Sequence, residues 1–354
     1  MALWEEFNNI DVRDYQALHP ELFAYVKEAM AGPGKQYLLI GDTAHSNDDI
    51  KKFKNSPTLA ALFRYAAVPH VCLETDREGM SPARLGAYRE KLDAVRNGLL
   101  PEEALEKAEA GFWKDLDLNW RRMAERYDKY NAVSRQIRKN TEMFASLVRR
   151  GRITPEKGAR ILQQLEDSYP DSTRRYLGAR TLGFTHAGLR VTAADSWQWQ
   201  DPPLRNLGER IFLGDREVAN YIGAQAHGEK TAVIYGAAHF QYDGALGARL
   251  GRDQCVHIDI YAGRDEYLRQ FSKGKSYTDF MPDRIYLLRE RVLEKPNAAL
   301  YRAAKYRTRD EAQDYKDGVA RTFGPNARPA RKEAAIARIK KLPEMDAGWF
   351  NYIP

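Results

Sequence analysis

Five short apolar runs, each ending near a small, acidic or aromatic residue, constrain this chain more than any other feature. They are Gln36–Gly41 (QYLLIG), Val68–Glu74 (VPHVCLE), Leu189–Asp195 (LRVTAAD), Thr231–Gly236 (TAVIYG) and Cys255–Tyr261 (CVHIDIY). Runs this short, with little polar alternation, suit strands covered on both faces. Segments with helical spacing separate them, for example Ser56–Ala67, Asp215–His227 and Tyr242–Leu250. Strands alternating with helices predict a three-layer α/β/α architecture around a mostly parallel sheet.

The alternation is interrupted between Ser81 and Leu189. Ser81-Pro82, Leu100-Pro101 and Thr154-Pro155 read as helix starts, with Pro in the first turn. Helices are expected over Pro82–Leu99, Pro101–Gly111, Leu116–Arg150, Pro155–Tyr169 and Asp171–Gly188. Leu116, Trp120, Met123, Tyr127, Tyr130, Val133, Ile137 and Phe144 recur at three- and four-residue steps and give the longest of them one apolar face. The expected organisation is a discontinuous α/β domain, residues 1–80 and 189–282, with a helical insertion at 81–188. A basic helical segment, 283–354, follows it.

Charge and cysteine content narrow the function classes. The 354 residues carry a net charge of +7, and the clearest cluster is Asn326–Lys341, with six basic residues and one acidic. The bland reading of that cluster is a solvated helix face; the sharper one is docking to an anionic membrane surface or a host protein. No nucleic-acid-binding motif accompanies it, so nucleic acid is not an expected partner. Cys72 and Cys255 are too few for a disulfide scaffold, and both lie in apolar runs that read as core. No stretch approaches the roughly 18 apolar residues of a membrane span. The N-terminus has acidic residues where a signal peptide has basic ones. The expected location is the cytoplasm, or outside the cell by a route that needs no classical signal peptide.

Open α/β sheets bind ligands beyond the carboxyl ends of their strands. The first run is followed there by Asp42 and His45, the second ends in Glu74, and the fourth is followed by His239. Two imidazoles and several carboxylates thus reach one edge, where His can serve as base or metal ligand. Each has a structural alternative. Asp42 can cap the helix at Asp48, Glu74 can pair with Arg77, and Arg216 can pair with Glu209 or Asp215 on its own helix. His70 and His257, inside apolar runs, are expected to be satisfied core histidines.

The same residues carry a family resemblance. Gly41-Asp-Thr-Ala-His45 resembles the Gly-Glu-x-x-His of erythromycin esterases and the Gly-x-x-His of TraB, Tiki and ChaN-like proteins. Val71-Cys-Leu-Glu74 is similar to the strand-end Glu of that superfamily. Gly214-Asp-Arg216 is similar to its Arg-bearing helix, and Gly236-Ala-Ala-His239 to its second strand-end His. The match spans roughly residues 35–260. Asp42 stands where the esterases have Glu, and His239 is single where they have a His pair, which makes the chain look closer to the Tiki and ChaN branches.

The resemblance implies a hydrolase acting on an ester or amide bond of a small-molecule or peptide substrate. His45, Glu74 and His239 would activate water directly or hold a divalent metal (Zn, Mn or Co). Arg216 would steady developing negative charge and Asp42 would orient His45. Two further readings accompany it: haem binding, as in ChaN-like relatives, and a bacterial effector or toxin module.

Overall fold

The computed structural model describes residues 5–43, 47–76, 80–128, 150–152, 154, 170–195, 214–242, 244–272 and 279–301. The strands are β1 (Tyr37–Asp42), β2 (His70–Asp76), β3 (Arg190–Asp195), β4 (Thr231–Gly236), β5 (Cys255–Tyr261), β6 (Arg284–Leu287) and β7 (Val292–Glu294). They form a seven-stranded sheet in the order β3-β2-β4-β1-β5-β6-β7, parallel except for the β6–β7 pair. The expected α/β class is the observed one.

Two faces of this sheet are covered, which explains why its strands are apolar throughout rather than alternating. On one face Leu38, Ile40, Val71, Leu73, Ala232, Ile234, Val256 and Ile258 join a single core with helices α3 (Pro20–Ala31) and α5 (Pro57–Tyr65). Pro20 opens α3, and Leu22, Phe23, Val26 and Met30 fall on its buried side. Burying each such side chain contributes about 1.5–3 kcal/mol. The opposite residues, Leu39, Cys72, Val233 and Tyr235, pack against Val218, Ala219 and Ile222 of a helix over Asp215–Ala226. Cys72 and Cys255 are both buried free thiols.

The helical block is continuous with this core at both ends. Leu85 and Tyr88 of a helix over Pro82–Arg96, Phe112 and Leu116 of one over Glu102–Asp128, and Leu182 and Phe184 of one over Pro170–His186 all belong to the first core cluster. His186 joins them: its Nδ1 faces Asn8 Oδ1 at 2.9 Å and its Nε2 the Tyr88 hydroxyl at 2.8 Å.

Two expectations are corrected. Gly111 does not end a helix: Glu102–Asp128 runs through it. A mid-helix glycine costs only about 1 kcal/mol relative to Ala, which the packing of Phe112 and Leu116 offsets. The expected C-terminal helical segment does not begin at Asp283, because β6 and β7 occupy 284–294 and extend the sheet. Ile285, Tyr286 and Leu287 are buried there. The basic run Asn326–Lys341 lies outside the described residues, as do the apolar positions from Tyr130 to Phe144 and the side chains of Trp120, Met123 and Tyr127. Among the described residues no helix is long and apolar enough to cross a membrane.

Candidate active site

β1 and β4 are neighbours, yet the chain leaves them in opposite directions. β1 leads through α4 (Asp48–Lys54) and α5 to β2 on one side, whereas β4 leads to β5 on the other. The carboxyl ends of β1 and β4 are therefore the switch point of the sheet, the place where open α/β sheets bind ligands. Asp42 is paired in register with Gly236, and the Ala237 amide donates to the Asp42 carbonyl at 2.7 Å.

Glu74, Gly236 and His239 meet at this point. The Gly236 amide donates to Glu74 Oε2 at 2.8 Å, which fixes the carboxylate against the end of β4. Glu74 Oε1 lies 3.7 Å from Nε2 of His239. His239 sits on a one-turn helix, Ala238–Gln241, and its Nδ1 meets Oδ1 of Asp215 at 2.7 Å. Asp215 Oδ2 accepts from the Leu246 amide at 2.8 Å. A carboxylate accepts only, so Nδ1 carries the proton and Nε2 faces Glu74. All three side chains are nearly inaccessible, at 4% or less.

This sets Asp215–His239–Glu74 in one line. Tyr235 packs edge-on to His239 with ring centroids 5.4 Å apart. Burial, followed by the Asp195, Glu74 and Asp215 carboxylates, pushes its hydroxyl well above the usual phenol range, so it remains a neutral phenol.

The other expected site residues are distributed differently. Asp42 is buried and its carboxylate forms an ion pair with the equally buried Lys54, so Lys54 is the partner the structure gives it. Arg216 is exposed on the solvent side of its helix, and its neighbour Asp215 occupies the site. The expected role of Arg216 in steadying charge therefore has no support in its position. His45 lies outside the described residues, and with it the third member of the expected metal set. Among the described residues no group of three His, Cys, Asp or Glu side chains is arranged to hold a metal ion.

Asp215 and Lys54 were not singled out by the sequence reading, yet both obey helical spacing. Asp215, Val218, Ala219 and Ile222 share one buried face, as do Ile50, Phe53 and Lys54. A charged residue in phase with an apolar stripe is the signal that identifies them.

Of the two histidines expected to be satisfied in the core, His70 is so on both ring nitrogens and His257 on one only. His70 bonds Thr231 Oγ1 at 3.1 Å and Thr192 Oγ1 at 2.9 Å, one hydroxyl from each neighbouring strand, and burial pulls it down to about 3. His257 Nε2 bonds Asp259 at 2.7 Å, while its buried Nδ1 has no hydrogen-bond partner among the described residues.

Fold and site together define an α/β protein with a buried carboxylate–imidazole–carboxylate chain at its sheet switch point. Comparison of the chain with protein-family models, with curated proteins and with solved structures found no match.

Proposed function

We propose that this chain is a hydrolase that cleaves an ester or amide bond, with His239 as the base that activates water. The observation that carries the reading is the Asp215–His239–Glu74 chain of contacts at the strand ends. Asp215 holds the Nδ1 proton and so leaves the Nε2 lone pair on the Glu74 side, where the reacting water would enter. As Nε2 takes a proton from water, the two flanking carboxylates stabilise the imidazolium that forms, and the hydroxide adds to the substrate carbonyl carbon. The proton on Nε2 then passes to the departing alkoxide or amine as the carbonyl re-forms. Asp42 and Lys54 form a buried ion pair at the end of β1, and the same reading takes the three strand-end motifs and the Gly214-Asp-Arg216 helix start as those of the erythromycin esterase, TraB–Tiki and ChaN-like proteins.

A divalent ion is the alternative occupant: Nε2 would then be a ligand and not the base, and the described residues supply two donors rather than a full set. A histidine engaged through Nδ1 by a carboxylate leaves Nε2 as a ligand in the manner of metal-binding histidines, and Glu74 Oε1 is the adjacent oxygen. Together with His45 these residues would hold the ion, which when bound supplies Lewis acidity for water and carbonyl activation.

The test is hydrolysis of p-nitrophenyl esters and of fluorogenic peptides by the purified chain, with and without added Zn²⁺, Mn²⁺ or Co²⁺. His239→Ala and Asp215→Asn are expected to lose about 10²–10⁴-fold in kcat/KM, the usual contribution of a positioned base. Undiminished turnover by His239→Ala, or no turnover of any ester or peptide by the unaltered chain, rejects the reading.

A further inference from the structure

The helix that carries His239 has only four residues, Ala238–Gln241. A helix this short does not hold itself together, because nucleation costs more than one or two hydrogen bonds return. What fixes it must come from the rest of the fold, and the structure shows contacts on several sides. Asp215 engages His239 from one side. Arg252 Nη2 donates to the Phe240 carbonyl at 2.6 Å, and the Asp279 and Phe280 amides donate to the Gln241 carbonyl at 2.9 and 3.0 Å.

The last side is the informative one. Gln241 Nε2 donates to Oδ2 of Asp259 at 2.6 Å, within β5. Asp259 is completely buried, and its Oδ1 faces Nε2 of His257 at 2.7 Å and lies against the backbone of Gly41. Burying a carboxylate costs several kcal/mol per ion unless partners compensate it, and an apolar residue at this central strand position avoids that cost. The hydrophobic effect therefore gives no reason for Asp259. Its contacts do, because both oxygens are used and one of them holds the Gln241 side chain, two residues from His239.

We propose that Asp259 and Gln241 are positioning residues that, opposite Asp215, clamp the His239 turn and hold Nε2 aimed at Glu74. The proposal deepens the hydrolase reading and rests on it for its catalytic meaning, although the clamp itself is a statement about His239 geometry. His257 completes the clamp by occupying Oδ1, so that Oδ2 is left to Gln241.

The experiment uses the full chain, with nitrogen-15 spectra of the His239 ring at one fixed pH near 7.5. His239→Ala assigns the signals. Gln241→Met keeps the volume and removes the amide donor; Asp259→Asn keeps the shape and an acceptor oxygen. Gln241→Met is expected to shift or broaden the Nδ1–H and Nε2 signals while its melting temperature stays close to that of the unaltered chain. Asp259→Asn is expected to restore most of the native signal that Asp259→Ala loses. In the ester assay Gln241→Met should lower kcat about 10-fold or more with KM little changed. Native His239 signals in both Gln241→Met and Asp259→Ala overturn the clamp. Should Gln241→Met unfold, Gln241→Glu, which sets a second carboxylate against Asp259, supplies the same comparison, and native signals there overturn it equally. Shifted signals in a chain that hydrolyses nothing retain the clamp and reject the hydrolase; hydrolysis lost in His239→Ala but full in Gln241→Met, with unmoved signals, does the reverse.

Discussion

Gly41→Ala tests how tightly β1 is packed against the polar cluster behind the site. An ideal Cβ at this position falls inside the van der Waals envelope of Asp259 Oδ1 and 3.2 Å from both Cα and Cβ of Ala237. Neither neighbour can yield easily: Ala237 belongs to the turn tied to the Asp42 carbonyl, and Asp259 is held by His257 and Gln241. Overpacking of this kind costs about 1–3 kcal/mol, and displacing the carboxylate weakens two charge-assisted hydrogen bonds worth about 1.5–3 kcal/mol each. The expected loss is therefore ~3–5 kcal/mol, read as a fall in the urea midpoint at constant m-value. Asp259→Ala alone should lose ~2–4 kcal/mol by leaving the His257 and Gln241 nitrogens without their acceptor. The double variant keeps only the tight contact with Ala237, so it should lie within about 1–2 kcal/mol of Asp259→Ala, with a coupling of about 2–3 kcal/mol. Additivity within about 0.5 kcal/mol, or Gly41→Ala within about 0.5 kcal/mol of the unaltered chain, refutes the packing argument.

Gly183→Ala should cost about 1–3 kcal/mol by the same measurement, because its Cβ would lie 2.8–3.0 Å from the Phe7 ring. Lys54→Met removes the buried cation from Asp42 and should destabilise by ~3–5 kcal/mol, with Asp42→Asn in the same chain recovering part of it. Burial holds His70 down to about 3 against 6.5 in the unfolded chain, so stability is full above pH 6.5 and is lost as pH falls toward 3, where only the unfolded chain takes up the proton. By pH 5 the expected loss is up to ~2 kcal/mol, and His70→Asn, measured by urea midpoints from pH 7.5 to 4.5, should show a shallower fall; an equal slope counts against it.

Five of the six parallel strands were legible because each is a short apolar run, and a sheet covered on both faces needs no alternation to declare itself. β6 and β7 were not: four and three residues long and flanked by charges, Arg284–Leu287 and Val292–Glu294 gain their strand character from pairing beside β5. At the site, strand-end position was enough to single out Glu74 and His239. It could not choose between Asp215 and Arg216, which are adjacent in sequence and face opposite ways on one helix. That choice is made by the helical phase of Val218, Ala219 and Ile222. Lys54 was hidden by its company, since Lys51 and Lys52 beside it make the run look solvated. Gln241 and Asp259 form their bond 18 residues apart, across a sheet register that sequence spacing does not encode.

The strand order also has a temporal side. β1 bonds only to β4 and β5, whose first residues pair with Tyr37 from 194 and 218 positions further along the chain. β2 and β3 can pair as soon as residue 195 exists, but β4 must still enter between β2 and β1. A nascent chain that stops before residue 231 thus holds its central strand with both edges open. Such long-range closure slows folding, and an unpaired edge invites association with other chains. During synthesis, the first strand to be made is among the last to be secured.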